Sequence, residues 1–388
     1  MPSILTSSAV ALSLLLASCG GGGDDDGPGP FDRAVAAADV SILYPLAADT
    51  APADLIAAGD VGAYGALVPP TLAGPTPAIE LAGQIGATYA DLRLVALRLD
   101  PCSARATCSP EVRAIFQPVV IRDGQTAAAD AALHVFYAVP DAELLLFMKE
   151  ILALKKAHGA DVDYGDVLSI QPILAATGLR GPFAVGLERA LLSHVGASRI
   201  ARVTAMAHLF FDNDAWSFAS FDRQGDRFVA STIVDTAETT QLINGTSASD
   251  PEIGGLFDGT PTPSLPELGA LAVAWRPDEP TADIVAGFAQ AIAAQDPDRH
   301  TSEDTDCVSC HVAEGARRAG VERYGFTPTD DFTSARSLAY RRDGKALTNL
   351  HAFSYLGTEV SIMRRVANES ALVADGFAAA LADEAAQP

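Results

Sequence analysis

Apolar and polar positions alternate with a period of two along several stretches, and this pattern predicts strands. In residues 89–99, YADLRLVALRL, Leu92 and Leu94 alternate with polar neighbours. Residues 112–119 and 133–137 read the same way. Pro118 places the first of these near a sheet edge, because proline has no N–H to offer a ladder. Strand-like runs return at 199–211, 215–221 and 228–234, where Trp216, Phe218 and Phe221 read as packing residues, and 271–275 can close the sheet. Helical spacing appears at 141–156, where Asp141 caps, Leu145, Met148 and Leu152 lie on compatible faces and Gly159 stops the helix. A second helix is expected between Gly181 and Val195. Thr281 can cap a helix over 282–295 with Ile284, Phe288 and Ile292 on one stripe. A last helix spans about 369–385. Strands followed by helices predict an α+β domain over residues 31–276, followed by a small all-α domain over 277–388. The boundary follows the Pro-, Gly- and Ser-rich stretch from Asn244 to Gly269.

The chain begins MPSILTSSAVALSLLLASCGGGGDDDGPGP. An apolar core from Ala9 to Leu16, then small residues and a cysteine, has the shape of a secretory leader, although its start lacks Lys and Arg. The Gly- and Asp-rich run after Cys19 can bury nothing and reads as a solvated tether over 19–30. Leu16-Ala17-Ser18-Cys19 resembles the lipobox of bacterial lipoproteins. That resemblance implies a signal peptide over 1–18, acylation at Cys19 and, with Gly20 next, an outer-membrane address in a Gram-negative envelope. An ordinary cleaved leader is the alternative. No other segment has the roughly 18–20 unbroken apolar residues of a membrane helix.

A net charge of -23 repels nucleic acid and anionic headgroups, which sets nucleic-acid binding aside. Of the five cysteines, Cys19 is taken by the lipid in this reading. Cys102 and Cys108, separated by SARAT, can close a small loop as a disulfide in an oxidising compartment. Cys307 and Cys310 then need a fate.

They stand in Cys307-Val308-Ser309-Cys310-His311. Two thiols at i and i+3 on a helical turn can reach the two vinyl groups along one porphyrin edge. His311 then offers an imidazole to the iron, its other ring nitrogen donating to a backbone carbonyl. Residue frequencies alone would give such a motif in roughly one chain in a thousand of this composition. The alternatives are a zinc knuckle completed by His300 or His351, a redox dithiol, and a plain disulfide. His134, His194 and His208 sit in apolar contexts and read as packing histidines, and Asp161–Asp166 as a solvated acidic turn.

With its preceding helix, a long irregular loop and a closing helix, the motif resembles the class I cytochrome c domain. The resemblance implies one covalent haem c, electron transfer with a redox protein partner, and His311 as the proximal axial ligand. It also implies Met363, in VSIMRR before the last helix, as the distal ligand, with His351 as rival and His300 behind it. Gly287-Phe288 and Gly376-Phe377 would supply the crossing of first and last helices found in that class. From Gly315 to Arg365 there are nine cations (Arg317, Arg318, Arg323, Arg336, Arg341, Arg342, Lys345, Arg364, Arg365) and five acids. One or two of these arginines can hold haem propionates, and the others can form a docking patch. A haem enzyme or sensor with an open sixth site, or a binding lipoprotein without haem, remain alternatives.

Overall fold

The alternating stretches pair into one antiparallel sheet of nine strands in the computed structural model, which describes residues 35–72, 87–102, 109–209, 215–225, 227–244, 265, 267–268, 271, 278–343 and 349–386. In chain order these are β1 (Ser41–Leu43), β2 (Leu92–Asp100), β3 (Glu111–Arg122), β4 (Gln125–Ala128), β5 (Ala131–Ala138), β6 (Ile200–Leu209), β7 (Ala215–Gln224), β8 (Arg227–Ser231) and β9 (Thr240–Asn244). Their spatial order is β1-β2-β3-β5-β6-β7-β8, with β4 beside the far half of β3 and β9 beside the near half of β7. Residues 1–34, which hold the expected leader, Cys19 and tether, lie outside the described residues; the remainder forms one compact unit.

Pro118 does not mark an edge. It stands inside β3, opposite Leu92 of β2. On the other side the ladder with β5 ends at Phe116 and that with β4 begins at Val119, so proline occupies the seam where the partner changes and no N–H is needed.

Seven helices are used below: α1 (Ala37–Val40), α2 (Asp141–His158), α3 (Pro172–Thr177), α4 (Pro182–His194), α5 (Ala282–Ala294), α6 (Cys307–Tyr324) and α7 (Arg364–Ala385). Pro140, not Asp141, is the capping residue of α2. Thr281 caps α5 by accepting from Ile284 N at 3.3 Å.

The stretch after the motif is not an irregular loop. It runs on as the 18-residue helix α6, stopped by Gly325 at φ 67, where glycine takes the left-handed conformation without strain. Beyond it, Phe353–Leu356 (β10) and Glu359–Ile362 (β11) form an antiparallel hairpin, so residues 277–388 are not all-helical. Nor do α5 and α7 make their main contacts with each other. α5 packs along α6, where Phe288 closes over Gly320, and α7 lies chiefly against α1. The boundary expected at 276/277 falls on residues outside those described, as does most of the strand expected at 271–275. Buried side chains of α5, α6, the hairpin and α7 (Ile284, Val312, Tyr355, Phe377) share one core with the sheet. Among the described residues no helix is long and apolar enough to cross a membrane.

Candidate cofactor site

Helix α6 begins at Cys307 because Asp306 caps it, accepting from Ser309 N at 3.1 Å. The cap is tied to the sheet. Gln241 of β9 donates to Asp306 Oδ2 at 2.7 Å, and its carbonyl oxygen accepts from Val308 N at 3.3 Å. This fixes the first turn of α6, and with it Cys307, Cys310 and His311, against a cavity.

The cavity volume is about 100 Å³. Both cysteines are free thiols, half-buried in its wall. Burial, with Asp306 and the neighbouring thiol adding, pushes Cys307 up to about 12, and burial also raises Cys310. A thiol held in its neutral form is a poor nucleophile, unlike that of a thioredoxin-like dithiol. Among the described residues no group of three or more His, Cys, Asp or Glu could hold a metal ion.

His311 Nδ1 donates to the carbonyl of Leu350 at 2.5 Å. A carbonyl can only accept, so the neutral ring carries its proton on Nδ1 and leaves the Nε2 lone pair open to a metal. Burial outweighs that hydrogen bond and pushes the ring down to about 4, so it is neutral near pH 7.

The opposite wall is the sheet, and strand register composes it. Arg98 of β2 faces Arg113 of β3, which faces Phe136 of β5, which faces Arg202 of β6. One step along, Ile115, His134, Thr204 and Ser220 form the next row. All eight line the cavity. The Arg113 and Arg202 guanidiniums lie 4.7 and 4.6 Å from the centre of the Phe136 ring, a cation–π arrangement. Arg113 also pairs with Glu111 at 2.8 Å. Arg98 and Arg365 converge on Glu369 at 2.8 and 2.6 Å. Burial raises the Glu369 carboxyl, but Arg365, Arg98 and Arg113 together outweigh it and hold the group well below the usual carboxylate range.

The wall is polarised in a strongly acidic protein. Four arginines (Arg98, Arg113, Arg202, Arg365) stand against two carboxylates (Asp306, Glu369), an excess of two positive charges, or one if Glu111 is counted. The Nε atoms of Arg98, Arg113 and Arg202 are buried and have no hydrogen-bond partner among the described residues. Each such donor costs about 1–3 kcal/mol unless a ligand satisfies it. Apolar groups, among them Ile115, Ile233, Phe353 and Val366, line the rest. A haem fits this donor set. The two thiols would take its vinyl edge, His311 the iron, and the arginine row its two propionates. Sequence reasoning missed Arg98, Arg113 and Arg202, since only the strand register brings them together.

Other expected residues are placed as follows. Met363 is buried, caps α7 and lines the cavity. His351 is fully buried but does not line it; Asp130 lies 2.5 Å from its Nε2 and Ser354 Oγ 3.0 Å from its Nδ1. His300 lies beside Asp304 at 3.6 Å. Cys102 is half of a disulfide, and Cys108, its expected partner, lies outside the described residues. Of the nine cations after the motif, Arg365 reaches the cavity. Arg317, Arg318, Arg323, Arg336 and Arg341 each pair with a carboxylate, Arg342 donates to the carbonyls of Asn349 and His351, Arg364 lies over the Tyr340 ring at 5.5 Å, and Lys345 lies outside the described residues.

No family model matches the chain, and neither a curated protein nor a solved structure is significantly similar to it.

Proposed function

We propose that this chain is a monohaem c-type protein that carries electrons in the bacterial cell envelope, held there by a lipid on Cys19. One observation carries the reading: two free thiols one helical turn apart share a cavity with His311, whose Nδ1 is fixed on a carbonyl, and with unpaired arginine donors. Each sulfur would hold a vinyl carbon through a thioether, with the thiol hydrogen on the other vinyl carbon, so attachment would need no oxidant.

When bound, the haem supplies reversible one-electron chemistry at iron. The chain's residues do the rest. Cys307 and Cys310 hold the group, and Leu350 orients His311 and raises its basicity as a ligand. Ile115, Phe353 and Val366 limit water. Arg98, Arg113 and Arg202 offer donors to the propionates, and positive charge there favours the reduced state of a nearby iron. The likeness to class I cytochromes c rests on the motif, its preceding helix and the last helix; the crossing of first and last helices does not contribute.

A haem-stained denaturing gel tests the reading. Protein secreted by a host competent in cytochrome maturation should stain at its own mass after boiling, and Cys307→Ala combined with Cys310→Ala should abolish the stain. An unstained wild-type band contradicts it.

A further inference from the structure

His134 belongs to a strand whose alternation puts it on the same face as Phe136. Its ring projects into the cavity from the sheet, while His311 enters from α6. The two ring centres are 6.2 Å apart and the planes are inclined by 36°. Two imidazoles on opposite sides of one iron need about this separation: about 2.0–2.1 Å for each metal–nitrogen bond and about 1.1 Å from nitrogen to ring centre give about 6.2–6.4 Å.

Three other histidines have carboxylates beside them. His194 lies 3.3 Å from Glu150, His208 3.6 Å from Asp130, and His351 2.5 Å from Asp130. His134 has no such neighbour, and its ring nitrogens have no hydrogen-bond partner among the described residues. An imidazole in a protein interior normally satisfies at least one nitrogen. Here a sheet histidine lacks any partner, and the group it faces is a histidine whose Nε2 is also open.

We propose that His134 is the second axial ligand of the haem, so that the iron is held between sheet and helix by two histidines instead of by His311 and Met363. The proposal rests on the haem reading above. His351 is excluded from the role because both its ring nitrogens are engaged and it lies off the cavity wall. Met363 lines the cavity, yet as the capping residue of α7 it is held by its backbone N–H on the Ala352 carbonyl at 2.8 Å, and it has a core position that needs no ligand role. Ligation by two imidazoles lowers the reduction potential relative to histidine with methionine, and it ties β5 to α6 through the metal.

The test uses the full haem-loaded chain and its spectra. The ferric wild type should be low-spin with no far-red sulfur-to-iron band, and Met363→Leu should leave that spectrum unchanged. His134→Ala should become high-spin and bind carbon monoxide without denaturant, and added imidazole should return it to low-spin. His134→Met, which keeps a ligand, should create the sulfur band and raise the potential. A sulfur band in the wild type that Met363→Leu removes would overturn the proposal, as would a high-spin wild type or a spectrum indifferent to His134→Met. In each of those cases the gel still shows covalent haem and only the ligand assignment fails. A colourless wild type fails both.

Discussion

Arg98 of β2 and Glu369 of α7 form an ion pair of 2.8 Å in the cavity wall, with both side chains almost wholly buried. Arg365, one turn before Glu369, shares the same carboxylate. Through this triad the last helix is fastened to the sheet, and the wall that faces the sulfurs is fastened with it. Its electrostatics govern what happens when one member is removed.

Glu369→Gln keeps the shape and removes the charge, leaving two buried guanidiniums without their anion. Breaking a buried pair from one side costs about 3–5 kcal/mol. The urea midpoint of the haem-free protein should fall accordingly, with an unchanged m-value. Arg323→Gln, whose partner Asp278 is fully exposed, should leave the midpoint nearly unchanged.

The same carboxyl sets an acid limb. Its folded value is depressed, so its contribution to stability is fully present above the unfolded value of about 4.3 and is lost as pH falls toward the lower folded value. The melting temperature should therefore drop more steeply below about pH 4 in the wild type than in Glu369→Gln. Equal slopes would mean that the group is not held ionised by its arginines.

Gly320 has no room for a side chain. A Cβ there would stand 2.2 Å from Phe288 Cδ2, so Gly320→Ala should push α5 away from α6 and cost about 1–3 kcal/mol. Phe288→Leu should recover part of that loss when combined with it, and a double-mutant cycle by urea denaturation measures the coupling.

Asp306→Ala removes the cap of α6 and one partner of Gln241, and should cost about 1–3 kcal/mol. Asp306→Asn keeps the cap and should cost less. In haem-free protein both should lower the pH at which Cys307 is alkylated, because the Asp306 charge helps to hold that thiol up.

The sheet was legible where one face of a strand is apolar and the other mixed, because a period of two survives in the sequence. Helix α2 was legible for the same kind of reason, and so were α4 and α5. Helix α6 was not: Gly315 and Gly320 interrupt its pattern; both are buried, and Phe288 packs closely on Gly320. The hairpin of β10 and β11 is only four residues a side, so the alternation of Phe353 and Tyr355 with Ser354, and of Val360 and Ile362 with Ser361, is too short to stand out. At the site, Cys307, Cys310 and His311 announce themselves because they are adjacent. Arg98, Arg113, His134 and Arg202 carry no local signal; each is a polar residue in a largely apolar strand, and only the pairing of β2, β3, β5 and β6 makes them a wall. His134 read as a packing histidine because its sequence neighbours are apolar, whereas its spatial neighbours are the ring of His311 and the arginine row.

Intact-mass analysis of the secreted protein, followed by sequencing of the peptide that carries Cys307 and Cys310, tests the central claim most directly. One haem per chain on that peptide, with neither cysteine open to alkylation, is the predicted result. A peptide of unmodified mass, with its two sulfurs alkylated or joined to each other, would contradict it.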